Sequence, residues 1–168
     1  MKNSKIVFGK PWSISHVNIS GLILVSLCLK IFLSYLFHFI ANNLSIKNIG
    51  SNDFSILETI VAVIIIAPLI ETLIFQFGIQ ELIFKLIKIS DDKLLFSISI
   101  TISSLLFSIT HYGSLFQILI AFTSGLIYAT LYTLLTKVKF QTKLFAIFIT
   151  SFVHSLYNLF EFLMYGNY

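Results

Sequence analysis

Four side chains that can hold or move a proton stand inside apolar stretches of this sequence. Glu71 is the only charged residue of A-P-L-I-E-T-L-I-F-Q-F-G, His111 ends L-L-F-S-I-T-H, and His154 and Asn158 share F-V-H-S-L-Y-N. A lone carboxylate at the centre of a membrane helix costs at least about 2.5 to 3.5 kcal/mol, so Glu71 needs a partner or a function.

The spacing of these residues favours a shared site. His154 and Asn158 are four residues apart and therefore lie on one helix face, with Glu161 three residues further on, near that face. Taken singly, a His or Asn in a membrane helix is typical of interhelical hydrogen bonding. A carboxylate, two imidazoles and an amide on three different apolar stretches together indicate catalysis.

The composition is that of an integral membrane protein. The 168 residues are 57% hydrophobic and 11% charged, whereas soluble domains carry about 25% charged residues. A single domain, residues 1–168, is expected at this length. The lone Cys28 excludes a disulfide framework and a paired-cysteine zinc motif. The net charge of +4 comes from scattered lysines, which indicates membrane orientation and not nucleic-acid binding.

The apolar stretches predict an all-α fold, a polytopic transmembrane bundle of about five spans with an amphipathic interfacial segment. A polar arm, residues 1–19, precedes the first span. The spans are predicted at residues 20–41, 54–88, 94–112, 115–136 and 144–165. The second exceeds one crossing, so we expect it to bend or break at Pro68, which frees a carbonyl one turn back. Its tail, residues 80–89, is expected to lie at the interface.

Local signals predict caps and contacts. Asp53 or Ser55 is expected to cap the second span and Ser90 or Asp91 the third. The small residues Ser124, Gly125 and Ala129 predict a close helix contact in the fourth span. Lys30 is expected to snorkel or to face the bundle, and His38 to lie near the interface.

The lysines predict a cytoplasmic N-terminus. With that orientation one lysine, Lys47, falls in an outer segment and nine fall in inner segments: Lys2, Lys5, Lys10, Lys85, Lys88, Lys93, Lys137, Lys139 and Lys143.

Three short motifs in order carry a resemblance to a known family. P-x-x-E at 68–71, followed by Phe75, then F-S-I-T-H at 107–111 and H-S-L-Y-N at 154–158 resemble the motifs of the CPBP intramembrane proteases. This group includes the CAAX prenyl endopeptidases and the bacteriocin-processing Abi proteins. The resemblance covers residues 55–165 and implies that Glu71, His111, His154 and Asn158 are catalytic.

The chain departs from the family pattern at two positions. The family's first motif usually reads E-E-x-x-x-R, whereas here Thr72 replaces the second Glu and Gln76 replaces the Arg. These positions are one helical turn apart, so we expect a neutral Thr72–Gln76 hydrogen-bonding pair to replace an ion pair. Losing both charges together is compatible with an intact fold.

Two catalytic schemes follow. In a zinc scheme Glu71, His111 and His154 hold the metal and its water, and a second carboxylate is needed as base. Thr72 cannot supply it, and Glu161 is a distant candidate. In a metal-free scheme Glu71 takes a proton from water that His111 helps to orient, while His154 and Asn158 stabilise the oxyanion. The missing second carboxylate favours the scheme without a cofactor.

One geometric requirement remains from the span limits. Glu71 and His154 lie well inside their spans, whereas His111 lies near the end of its own. For the three to meet, the turn at Tyr112 and Gly113 must dip below the membrane surface, or the spans must shift by several residues.

The favoured function is an intramembrane endopeptidase in a bacterial cell membrane. Its expected partners are the lipid bilayer and a membrane-associated peptide, either a prenylated protein or a bacteriocin-like precursor, and no nucleic acid. An inactive relative acting as an immunity or scaffold protein is the first alternative. A small transporter is the second, although five spans are few and no inverted repeat is visible.

Overall fold

The computed structural model describes residues 18–43, 55–111, 114–138 and 141–165. The predicted polar arm, the loop with Asp53, and the Tyr112–Gly113 turn lie outside these residues. Within these residues five helices are long and apolar enough to cross a membrane, which confirms the all-α polytopic bundle. They are α1 (Ile19–Asn43), α2 (Ile56–Leu86), α3 (Asp92–Ile109), α4 (Leu115–Lys137) and α5 (Lys143–Tyr165).

The helix α2 continues through Pro68 instead of breaking there. Its winding changes on both sides of the proline: Thr59–Ile66 and Thr72–Ile79 are π-helical, and Ala67–Glu71 between them is α-helical. A π-helix bonds each N–H to the carbonyl five residues back, whereas an α-helix bonds it to the carbonyl four residues back. A proline therefore leaves a different carbonyl without a donor in the two kinds of helix. The tail Gln80–Leu86 is a direct continuation of α2, and Glu81 in it pairs with Lys143 at the start of α5.

Side chains next to the helix starts supply the first hydrogen bonds. Ser55 and Glu58 form a reciprocal capping box on α2, and the Asp91 carboxylate accepts from the N–H groups of Lys93 and Leu94. Ser114 and Gln117 form a second capping box on α4. The predicted caps at Ser55 and Asp91 are therefore confirmed.

The helix α4 lies at the centre of the bundle. Among the described residues the buried apolar cluster comes entirely from α4 and α5, and its members are Ile127, Tyr128, Leu131, Tyr132, Leu135, Ala146, Ile147 and Val153. Against α3 the backbones approach closely: a Cβ on Gly125 would lie 2.9 Å from Ser104 Cα. Ala129 is fully buried, and its carbonyl accepts from Gln80 Nε2 of α2 at 3.1 Å. The small-residue contact predicted for this helix is confirmed.

Candidate active site

The structure brings three of the four predicted site residues together. Glu71 lies midway along α2, and its two carboxylate oxygens face different imidazoles. Oε1 is 4.0 Å from His111 Nε2, and Oε2 is 3.7 Å from His154 Nε2. The carboxylate thus lies between one histidine of α5 and one at the end of α3.

The turn after α3 delivers His111 to the level of Glu71. The helix ends at Ile109, and the backbone N–H of His111 donates to the Ser108 carbonyl at 3.1 Å. His111 Nδ1 donates to the Phe107 carbonyl at 2.9 Å. Because a neutral ring with Nδ1–H has its lone pair on Nε2, this hydrogen bond turns an acceptor nitrogen toward the carboxylate. Glu71, His111 and His154 come together because α3 ends at Ile109, earlier than the predicted span limit of residue 112.

His154 is held by aromatic rings rather than by hydrogen bonds. Its side chain is only 7% exposed, and its ring stacks on Tyr128 of α4 with centroids 4.2 Å apart. The Phe107 ring packs against both histidines, with its centroid 6.0 Å from the His154 ring and 4.4 Å from the His111 ring. His154 Nδ1 is buried and has no hydrogen-bond partner. Because Nε2 is the nitrogen that faces a carboxylate, the tautomer with a proton on Nε2 fits this setting.

The fourth predicted residue, Asn158, contacts a different part of α2. Its Nδ2 donates to the carbonyl of Val63 at 2.9 Å. In the preceding π-helical turn the N–H of Ala67 bonds the carbonyl of Ala62, five residues back. The next bond in that pattern would join residue 68 to Val63, but Pro68 has no N–H. The Asn158 amide therefore satisfies the carbonyl that the proline leaves without a donor.

The expected hydrogen-bonded pair of Thr72 and Gln76 is wrong. Both side chains are buried, yet Thr72 Oγ1 and both polar atoms of the Gln76 amide lack a hydrogen-bond partner. These residues lie in the π-helical part of α2, where residues five apart, not four, are bonded along the backbone. The side chains that follow Glu71 therefore do not meet as they would on an α-helix.

Glu161 lies in a second polar group, formed where α1 and α5 pack together. Its carboxylate accepts hydrogen bonds from Ser34 and Tyr157, and it lies 3.4 Å from His38 Nε2. His38 also stacks on Tyr165, so it is part of a helix contact as well as near a helix end. Glu161 is thus engaged away from Glu71, and it is poorly placed as the second carboxylate of a zinc scheme.

Sequence reasoning missed two contacts at the site. The Tyr128 ring stacks on His154, and Lys30 of α1 is buried with its ammonium 3.8 Å from the centre of the Tyr157 ring. Tyr157 is three residues from His154, so the two side chains lie near each other on one face of α5. This spacing could have predicted that Tyr157 and its neighbours lie near the site. Lys30 faces the bundle and does not snorkel.

The fold and this arrangement define a polytopic membrane protein in which a carboxylate lies between two histidines of neighbouring helices. The sequence model of the Rce1-like type II CAAX prenyl endopeptidases matches residues 53–160. The chain belongs to this family, which confirms the resemblance and supports a CAAX-type intramembrane protease at the level of the family. No curated protein and no solved structure matches the chain. Among the described residues no group of His, Cys, Asp and Glu side chains has the arrangement of a metal site.

Proposed function

We propose that this protein is an intramembrane endopeptidase that hydrolyses a peptide bond with water activated by Glu71. The observation that carries the proposal is the position of the Glu71 carboxylate, 3.7 and 4.0 Å from the Nε2 atoms of His154 and His111. Membership of the Rce1-like family supports the same reaction class.

The distances fit a reaction in which water takes part. A separation of 4.0 Å between Glu71 Oε1 and His111 Nε2 is too long for a direct hydrogen bond, but a bridging water spans it readily. Such a water donates one proton toward the carboxylate and one to the lone pair of His111. Both groups then orient its oxygen toward a peptide carbonyl.

The proposed steps conserve protons and charge. Glu71 takes a proton from water as the water oxygen bonds to the carbonyl carbon, and the carbonyl becomes an oxyanion. His154 Nε2–H donates to that oxyanion. The protonated Glu71 then gives its proton to the leaving nitrogen as the C–N bond breaks. In this scheme Asn158 is a donor through the same Nδ2 amide group that bonds the Val63 carbonyl, since that group carries two N–H bonds.

The proposed substrate is a membrane-associated peptide. A prenylated peptide with a C-terminal CAAX box follows from the family, and a bacteriocin-like precursor is the second candidate. A substrate outside both classes would be found by comparing the peptides of membranes that contain the protein with those of membranes that lack it.

The first experiment compares two glutamates of one helix. Purified protein in liposomes is offered a fluorogenic farnesylated CAAX peptide, its unprenylated twin and a bacteriocin-like leader peptide. Glu71→Gln should lower kcat/KM by about 10²- to 10⁴-fold, the usual contribution of a general base. Glu58→Gln, at the exposed start of the same helix, keeps the capping box and should leave kcat/KM unchanged. Full activity of Glu71→Gln would refute the scheme and favour an inactive scaffold or a transporter.

The same assay asks whether the three residues act as one unit. His111→Ala and His154→Ala should each reduce cleavage to near background, and either change should add little to Glu71→Gln, because members of one catalytic apparatus are non-additive. Under the metal-free scheme, activity should survive exhaustive chelation. Loss on chelation with recovery on adding zinc would instead support the zinc scheme with Glu71, His111 and His154 as ligands.

A further inference from the structure

The helix α4 carries none of the four predicted site residues, yet one of its side chains covers the ring of His154. The ring centroids of Tyr128 and His154 are 4.2 Å apart and the two planes differ by 25°, so the rings are stacked. Tyr128 is fully buried. A ring stacked this closely restricts the rotation of the imidazole, provided that Tyr128 itself is fixed.

The packing of α4 against α3 fixes the Tyr128 ring. Tyr128 meets Phe107 in an edge-to-face contact, with centroids 6.4 Å apart and planes 87° apart. Gly125, three residues before Tyr128, brings the two helices together, because a Cβ there would lie 3.2 Å from Phe107 Cδ1. Phe107 also lies 6.0 Å from the His154 ring. The imidazole is therefore enclosed by two aromatic rings that hold each other in place.

His154 lacks the hydrogen bond that usually orients an active-site imidazole. The torsion that turns this ring has broad preferences, so rotamer strain does not fix its plane. The usual device is a hydrogen bond from the ring nitrogen that faces away from the chemistry. His111 has this device, because its Nδ1 donates to the Phe107 carbonyl at 2.9 Å. His154 Nδ1 is buried without a hydrogen-bond partner. The plane of His154 must therefore be set by the stacked ring.

We propose that Tyr128 is a positioning residue, whose ring holds the His154 imidazole in the plane in which Nε2 faces the reaction. This proposal rests on the proposed function, in which His154 Nε2–H donates to the oxyanion. Stacking fixes the plane, and Glu71, with Oε2 3.7 Å from Nε2, selects the ring edge that carries the N–H. The donor is then in place before the oxyanion forms and needs no reorganisation during the reaction.

The test removes the ring or only its hydroxyl. Tyr128→Phe keeps the stacking face, whereas Tyr128→Leu and Tyr128→Met remove it. The methionine fills more of the space and serves where the leucine variant does not fold. Tyr132→Leu is the matched control, because Tyr132 is a buried tyrosine one turn further along α4 whose described ring contact is with Phe77. Each full-length variant is assayed in liposomes for kcat and KM on a peptide that the wild type cleaves.

We expect Tyr128→Leu and Tyr128→Met to lower kcat by about 10²-fold with little change in KM, because a misplacement of about 1 Å costs about this much. Tyr128→Phe should keep kcat near the wild-type value, since the stacking face remains. In a His154→Ala background the loss of the Tyr128 ring should add little, because Tyr128 acts through His154. Tyr132→Leu should have the same small effect on kcat in both backgrounds.

Solid-state NMR of the protein in lipid, with nitrogen-15 in its histidines, reads the His154 ring without any substrate. The signals of His154 are assigned by their loss in His154→Ala. The wild type and Tyr128→Phe should show one neutral tautomer of His154, with its proton on Nε2. Tyr128→Leu and Tyr128→Met should show both tautomers or broadened ring signals, because the imidazole is then free to reorient.

Three results would overturn the proposal. A wild-type kcat and a single His154 tautomer after loss of the Tyr128 ring would mean that another group sets the plane. A loss of kcat in Tyr128→Phe as large as in Tyr128→Leu would assign the effect to the hydroxyl. The same loss of kcat and the same His154 signals in Tyr132→Leu would assign it to the general packing of α4.

The NMR measurement keeps this proposal distinct from the proposed function. A wild type that cleaves no peptide overturns the proposed function, whereas the His154 signals still show whether Tyr128 sets the ring plane. An active wild type whose His154 signals do not depend on the Tyr128 ring overturns the positioning role alone.

Discussion

The contact between Asn158 and Val63 predicts a specific energetic coupling with Pro68. Replacing Asn158 by Ala leaves the Val63 carbonyl without its donor at 2.9 Å. In a Pro68→Ala background residue 68 has an N–H, and the π-helical pattern seen at Ala67 directs that N–H to Val63. Asn158 should therefore matter less once the proline is gone.

The magnitude follows from the cost of an unsatisfied buried carbonyl, about 1 to 3 kcal/mol. Hydrogen bonds between membrane helices average about 0.6 kcal/mol and reach about 1.7 kcal/mol. We therefore expect Asn158→Ala to cost about 1 to 2 kcal/mol of unfolding free energy in the wild type, and about 1 kcal/mol less in the Pro68→Ala background.

Reversible unfolding of the four proteins in mixed micelles, followed by circular dichroism, gives the double-mutant cycle. The assay is independent of catalysis, so an effect of Asn158 on cleavage does not enter it. Additivity within about 0.3 to 0.5 kcal/mol is the behaviour of independent sites and would refute the assigned partner.

Two further predictions concern the packing of α3 and α4 and the residues after Glu71. Gly125→Ala should destabilise the protein by about 1 to 3 kcal/mol, because its Cβ would lie 2.9 Å from the α3 backbone. Gly21→Ala is the matched control, since its Cβ meets nothing closer than 3.5 Å, and equal melting temperatures for the two variants would contradict the close contact. Thr72→Glu alone should lower membrane abundance, because it adds an uncompensated charge at a fully buried position. Adding Gln76→Arg should restore it even though Thr72 and Gln76 do not bond each other, because the longer Glu and Arg side chains can reach across that gap and neutralise each other. Equal abundance of both variants and the wild type would mean that this face is hydrated.

Features that depend on composition and local sequence were predictable. The five spans follow from apolar stretches, and the caps at Ser55 and Asp91 follow from the local chemistry of helix starts. The approach of Gly125 to α3 follows from small residues in the fourth span. The convergence of a carboxylate with two histidines was also expected, and the structure places Glu71 between His111 and His154. Their catalytic roles stay predictions.

Features that depend on helix winding were not predictable. Counting in α-helical turns places Gln76 against Thr72, but the π-helical segment leaves both without hydrogen bonds. The same winding makes Val63 the carbonyl freed by the proline, and only the tertiary contact of α5 shows that Asn158 satisfies it. The sequence allowed Lys30 either to snorkel or to face the bundle. Its contact with the Tyr157 ring, which only the tertiary structure shows, decides for the second.

The contact between α1 and α5 has a consequence for biosynthesis. His38 and its partner Glu161 are separated by 123 residues, so the ribosome makes the first helix long before the carboxylate that pairs with it. At roughly 5 to 20 residues per second this interval is about 6 to 25 s. During that time a nascent helix that contains Lys30, Ser34 and His38 has none of its α5 partners. Packing of α1 against α5 is therefore a late step in the assembly of the bundle.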